Sequence, residues 1–228
     1  MEHGSTLHLL GSVLEICLID LLLGGDNAVV IALACRGLPQ ALWRRAVLLG
    51  TVAAVVLRIL LTAFATLLLN VPYLKLVGAV VLVVIAVKLV ASDPPGDPDS
   101  DRAPQDHTVW KALTTIVVAD TVMSLDNVLA VAAASRGSLL LLALGLLLSV
   151  PILIFGSVMV ARILDRYPIV ILAGGALLGW VAGDTAVSDP AIEAWINHQS
   201  FGLAVAAPVL GAVYVLIHGR MIRRQRTR

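Results

Sequence analysis

Charged and aromatic residues are both scarce in this chain of 228 residues: Asp, Glu, Lys and Arg together make 14 %, and Phe, Trp and Tyr 4 %. A soluble domain carries about 25 % charged residues, so this chain lacks the polar groups to cover a water-facing surface. The formal net charge is +1, which leaves no basic field for a nucleic-acid backbone. The two cysteines, Cys17 and Cys35, fall on one expected helix, about 27 Å apart at ~1.5 Å per residue, too far to be bridged. No CxxC pair occurs, and His3, His8, His107, His198 and His218 all lie at span ends or in loops. A disulfide scaffold and a zinc or copper site of His and Cys are therefore excluded. The N-terminal MEHGSTLHLL has no Lys or Arg before its apolar run and no clean cleavage site, so it reads as the start of a retained helix.

Apolar residues are what the chain has in excess: 59 % are hydrophobic and the mean hydropathy is +0.97. They fall into seven stretches, roughly 7–35, 46–69, 72–91, 109–134, 138–161, 168–187 and 201–218, most of them near the ~20 residues that cross a bilayer. The expected fold is an all-α membrane protein of seven transmembrane helices. Residues 1–91 form a first three-helix unit, its first helix broken at 24–27, and residues 109–187 form a second. Between them, 92–108 (SDPPGDPDSDRAPQDHT) holds five aspartates and no large aliphatic residue, and reads as a solvated acidic linker. Residues 188–228 supply the seventh helix and a tail with five arginines. Lys and Arg gather on the side of that tail (Arg36, Arg44, Arg45, Lys88, Arg102, Lys111, Arg162 and Arg166), against Arg136 and Lys75 on the other. By the positive-inside rule the C-terminus and the linker are cytoplasmic and the N-terminus is outside.

An internal repeat runs through this pattern at an offset of 100 residues. Residues 20–37, DLLLGGDNAVVIALACRG, and 120–137, DTVMSLDNVLAVAAASRG, share Asp20/Asp120, Asp26/Asp126, Asn27/Asn127, Ala32/Ala132, Ala34/Ala134, Arg36/Arg136 and Gly37/Gly137. Helices 1 and 4 enter the membrane from opposite sides, so the two units are expected to form an inverted repeat, a common build of secondary transporters.

An aspartate at the centre of a span costs ~3 kcal/mol on insertion scales. Glu15, Asp20 and Asp26 on helix 1 and Asp120 and Asp126 on helix 4 face a single deep base, Arg58 on helix 2. A bound divalent cation, or protons in competition with it, would balance the excess. Because helices 1 and 4 run antiparallel, Asp20 should lie near the level of Asp126 and Asp26 near Asp120. Six residues of regular helix separate Asp20 from Asp26 by about 240°. Unwinding at Gly24-Gly25 would turn both inward and free backbone carbonyls; Ser124-Leu125 on helix 4 predicts a milder break. Carboxylates, Asn amides and carbonyls are hard ligands suited to Mn²⁺, Mg²⁺ or Ca²⁺. Arg58 is expected to serve as counter-ion to one aspartate. Gly175, Gly179 and Gly183 form a small-residue ridge on helix 6 that predicts close helix packing, and Asp184 is read as an interfacial cap.

The strings DLLLGGDNAVVIALA and ADTVMSLDNVLAVAAAS resemble the paired acidic motifs of the TerC family, its YjbE-type members above all, over nearly the whole chain. That resemblance implies a multi-pass protein of the bacterial inner membrane, not an enzyme, that exports Mn²⁺ from the cytoplasm as its transported substrate, with no organic cofactor. Some branches carry Glu where Asp20 stands here. The family's acidic motifs map onto Asp20, Asp26 and Asn27 and onto Asp120, Asp126 and Asn127. On this reading Asp26 and Asp126 are the principal ligands, Asp20 and Asp120 complete the cage, and Asn27 and Asn127 lend amide oxygens. Protons and the lipid bilayer are the other expected partners, with proton entry driving export. The alternatives are export of another cation or small solute (Ca²⁺ or an amine) and a non-transporting metal-binding scaffold. An intramembrane aspartyl protease would want GxGD, YD and PAL motifs on consecutive helices, which the chain does not supply.

Overall fold

The computed structural model describes residues 2–36, 38–68, 71–91, 109–135, 137–167, 169–199 and 201–226. The expected linker 92–108, Arg102 within it, and Arg136 lie outside the described residues. The elements are α1 (Glu2–Leu23), α2 (Asn27–Ala34), α3 (Gln40–Ala63), α4 (Ala65–Leu68), α5 (Leu74–Ala91), α6 (Val109–Ser135), α7 (Leu139–Arg166), α8 (Ile169–Val187), α9 (Glu193–Gln199) and α10 (Phe201–Arg226). Six helices among the described residues are long and apolar enough to cross a membrane, and α1 with α2, bent by 60° at their junction, makes up to seven.

The helices overrun the hydropathy-based ends: α3 begins at Gln40, α7 runs to Arg166 and α10 to Arg226. Arg and Lys end an apolar run but not a helix, because they are good helix formers whose stems lie along apolar surface while the charge reaches water. The short α9, after α8, was not expected from the sequence.

Packing is set by small residues. Ile16 of α1 seats against Gly145 of α7, and Ile116 of α6 seats against Gly50 of α3. Further along, Asp20 meets Ser149 and Ala28 lies beside Gly156, so α1–α2 and α7 run side by side in one direction. Arg58 meets Ser124 beyond the Gly50–Ile116 contact, so α3 and α6 also run together. The largest core cluster, around Leu82, Val90, Ile171, Leu178 and Val215, joins α5, α8 and α10 to α2 and α6. Outward, the bundle is as apolar as it is inward: Leu22, Phe155, Trp110 and Leu140 are among its most exposed side chains. That is the pattern of helices solvated by hydrocarbon.

The glycine ridge does what its spacing predicts. A Cβ at Gly179 would run into the carbonyl of Gly211, and one at Gly183 into that of Ala207. The backbones of α8 and α10 therefore touch directly. Gly179→Val should separate these helices and lower the melting temperature of the purified protein, the cost of overpacking being roughly 1–3 kcal/mol. Gly11→Ala, where nothing lies within 4 Å of the added carbon, is the control and should leave the melt unchanged.

Candidate functional site

The centre of the bundle is held by one guanidinium. Arg58 of α3 donates from Nη1 to Asp20 Oδ1 of α1, from Nη2 to Asp120 Oδ1 of α6 at 2.8 Å, and from Nε to Ser124 Oγ at 3.0 Å. Ser124 passes its proton on to Asp120 Oδ2 at 3.2 Å, and the Ser149 hydroxyl of α7 donates to Asp20 Oδ2. Asp20, Asp120 and Arg58 are all buried. Four helices thus converge on a pair of carboxylates that share one cation, leaving one formal negative charge. Arg58 was expected to balance one aspartate; it bridges the equivalent aspartates of both motifs, because its forked donors can engage two carboxylates at once.

The chain breaks at Gly24-Gly25 as the glycine pair predicts. The amide of Gly24 closes the last turn of α1 on the Asp20 carbonyl at 2.8 Å, and α2 starts at Asn27. A Cβ at Gly24 would stand 3.2 Å from Arg58 Nη1 and 2.9 Å from Asn27 Nδ2. Only glycine lets the backbone come this close to the guanidinium. Asp26 stands at the N-cap of α2 without a side-chain capping bond, beside the positive end of that helix dipole. Its Oδ1 and both amide atoms of Asn27 are buried with no hydrogen-bond partner.

The second motif behaves differently. The milder break expected at Ser124-Leu125 is absent: α6 is continuous from Val109 to Ser135. Ser124 has a side chain to spend on Asp120 and Arg58, and no glycine there lowers the cost of leaving the helix. Asn127 reaches across to donate from Nδ2 to the Leu23 carbonyl at 3.1 Å, satisfying an end of α1 that the break exposes. The side chain of its repeat partner, Asn27, makes no such bond.

A small cavity of about 20 Å³ lies beside Arg58, lined by Asn27, Thr51, Val55, Ile116 and Asp120 among others. Asn27 and Asp120 share its wall, but the expected pairing of Asp20 with Asp126 is not made: Arg58 draws Asp20 to Asp120, and Lys75 draws Asp126 away. Asp126 is elsewhere: its carboxylate, 34 % exposed, pairs with Lys75 of α5 at 2.5 Å and accepts from Thr185 of α8 at 3.4 Å. Glu15 is exposed on α1. Among the described residues, no three His, Cys, Asp or Glu side chains stand grouped to hold a metal ion. The six motif residues are therefore divided. Asp20 and Asp120 lie on Arg58, Asp26 Oδ1 and the Asn27 amide stand at the break without hydrogen-bond partners, Asn127 braces α1, and Asp126 is with Lys75.

Sequence reading missed Thr51 and Asp189. Thr51 is buried, with its hydroxyl unpartnered. Asp184 is exposed, and the capping role expected of it falls to Asp189, fully buried in the turn after α8. Asp189 accepts from the backbone amides of Tyr73 at 2.9 Å, Leu76 at 3.1 Å and Ala191 at 2.8 Å, and so caps α5 from a distant part of the chain. Burial alone would raise its carboxyl pKa, but the amides of Ala191, Tyr73, Leu76 and Lys75 outweigh it and hold the group below the ordinary carboxylate range. No local motif marks this cap, since the helix it serves lies more than a hundred residues away.

These helices define a multi-pass integral membrane protein with buried carboxylates at its centre. Residues 5–227 match the family described as integral membrane protein TerC, and the chain belongs to that family. It is 39 % identical over 217 residues to the uncharacterized membrane protein YjbE of Bacillus subtilis (strain 168), covering 95 % of each chain. No solved structure matches it.

The lowered pKa of Asp189 carries a sign. Its stabilising contribution is present above the unfolded value of about 3.9 and is lost as pH falls through the lower folded value. Asp189→Asn, which cannot accept three amide bonds as a charged group, should melt several degrees below wild type at pH 7. The gap should close as both are titrated into acid. A gap that persists unchanged at low pH would show that the carboxylate charge is not what holds this end.

Proposed function

We propose that the protein is a secondary transporter, not an enzyme, that exports a divalent cation from the cytoplasm, Mn²⁺ before Ca²⁺ or Mg²⁺. The observation that carries this reading is the convergence of one aspartate from each acidic motif, Asp20 and Asp120, on Arg58 beside a broken helix. There Asp26 and Asn27 keep buried oxygens unpartnered. A soluble core would not retain such groups without compensation, and in membrane proteins they mark substrate pathways. Hard oxygen donors favour Mn²⁺, Mg²⁺ and Ca²⁺ over softer metals; export, and manganese in particular, follow from the family resemblance.

On this reading the two three-helix units are an inverted repeat. Ile16 and Ile116, one repeat apart, each seat against a glycine, Gly145 and Gly50, on the helix that would be exchanged by the two-fold. The N-terminus is outside and the arginine-rich tail cytoplasmic, in a bacterial inner membrane. Asp26, Asn27, Asp20 and Asp120 serve the cation at the centre, and Asp126 with Asn127 serves it on the side of Lys75. Carboxylates that hold a cation in one state hold protons in another, which supplies a route to proton coupling. The division of the six residues and the neutralising Arg58 favour one second reading, a metal-binding scaffold without turnover. Flux separates the two.

In proteoliposomes holding an internal fluorescent Mn²⁺ reporter, wild type should give saturable flux that responds to a pH gradient. Asp26→Asn and Asp126→Asn should each reduce it by at least about tenfold, a scale reached even by outer partners of metal ligands. Flux surviving both substitutions would place the path elsewhere. Metal binding without flux of Mn²⁺, Ca²⁺ or Mg²⁺ by folded protein would favour the scaffold.

A further inference from the structure

We propose that Lys75 locks one end of the protein: by pairing with Asp126 it ties together two bodies of helices whose parting at that end opens the path to the outside. The inference rests on the transport reading above for its part in export, and it turns on a residue outside the acidic motifs.

The bundle divides into two bodies. The helices α1–α2, α3, α6 and α7 pack chiefly against one another and are tied at their centre through Arg58. In the other body, α8 and α10 touch through their backbones at Gly179 and Gly183, and Val90 of α5 seats against Gly175 and Gly219. Each three-helix unit thus gives its first two spans to one body and its third to the other. Along the seam, Gly78 of α5 lies against Val122 of α6, and Gly174 of α8 against Val29 and Leu33 of α2. Aliphatic contacts carry no directional bonds, so packed helices can shift across them in small sliding steps.

Asp126 projects from the first body and is held by the second, through Lys75 at 2.5 Å and Thr185 at 3.4 Å. Lys75 is fixed on its own body: it donates to Ser188 at 3.4 Å, and Asp189 caps the turn of α5 that carries it. The pair therefore joins two anchored groups rather than two loose side chains. Its surroundings suit a lock. Arg58 and its aspartates are buried, and separating them would strand charges in hydrocarbon. The Lys75 and Asp126 side chains are 13 % and 34 % exposed, so water reaches both as the seam opens and takes over their solvation. The bodies part more readily here than the first body comes apart at its centre.

The repeat does not duplicate this lock. On the spacing that relates Gly78 to Gly174, the position of Lys75 falls at Ile171. Asp26, the repeat twin of Asp126, keeps its Oδ1 without a hydrogen-bond partner. A cargo cation that reaches Asp126 repels the ammonium and competes with it for the carboxylate. Arrival of cargo is thereby coupled to release of the lock.

The test is the distance between the bodies, read by dipolar spin resonance on the full chain with Cys17→Ala and Cys35→Ala. Nitroxides at Leu129→Cys on α6 and Asp184→Cys on α8, both exposed positions, flank the pair from opposite bodies. Lys75→Gln and Asp126→Asn should each populate a distance longer by about 5 Å, the scale of a one-turn shift between elements. The exchanged pair, Lys75→Asp with Asp126→Lys, should return the wild-type distance. Wild-type distances in a single variant that melts as a folded protein would overturn the lock. So would a lengthening that the exchanged pair fails to reverse, which would assign the effect to packing rather than charge. Expected distances in a protein that carries no Mn²⁺, Ca²⁺ or Mg²⁺ across proteoliposomes would instead overturn the transport reading and leave the lock a property of the fold.

Discussion

The Arg58 guanidinium between Asp20 and Asp120 is the interaction on which the centre of this protein depends. Two aspartates in the middle of a membrane span are costly, and a carboxylate left unpaired there would be costlier still. One arginine spans both because its donors fan out in a plane, and the serines 124 and 149 take up the remaining lone pairs. The result ties α1, α3, α6 and α7 into a single polar knot inside an apolar bundle. A side chain at Gly24 would clash with the Asp20 carbonyl at 2.8 Å and Asn27 Nδ2 at 2.9 Å and crowd Arg58 Nη1 at 3.2 Å. Removing either aspartate would leave Arg58 paired one-to-one with the other, whereas removing Arg58 would leave two buried carboxylates without a cation, so the pair depends on the arginine.

Around that unit, two copies of one motif adopt different structures. Both read Asp, five residues, Asp-Asn. The first contains Gly-Gly and comes apart into α1 and α2; the second contains Ser-Leu and stays a helix. The break frees the Leu23 carbonyl, and Asn127 of the unbroken copy covers it. The Asn27 side chain makes no such bond. Asn27 and Thr51, whose side chains lack hydrogen-bond partners, both stand in the wall of the small cavity beside Arg58. On the other motif, Asp126 is engaged by Lys75 and Thr185. A near-symmetric sequence has in this way produced an asymmetric distribution of satisfied and unsatisfied groups.

The periphery follows simpler rules. Glycines on α8 and α10 bring backbones into contact where no hydrophobic effect between helices is available to drive association. The start of α5 is fastened by Asp189, a buried carboxylate that exchanges water for backbone amides of two chain segments. Tyr73, just before that helix, takes a positive φ of 65°, a conformation uncommon for a residue with a side chain, and its amide is one of the three held by Asp189.

The class of fold, the membrane-crossing helices, the break at Gly24-Gly25, the glycine ridge of α8 and the presence of acidic groups within the spans are legible from the chain alone. Each is a local or periodic property: long apolar runs have no folded alternative in hydrocarbon, paired glycines are cheap to unwind, and buried acids are too costly to occur by chance. Only the tertiary structure decided how those residues are shared. That Arg58 serves two aspartates, that Asp126 turns to Lys75, that Thr51 and Asn27 line one cavity, and that Asp189 caps a helix over a hundred residues away all depend on which helices become neighbours. Hydrogen bonds and charges act over a few ångströms, and sequence separation carries almost no information about distances on that scale once the chain has folded back across the membrane.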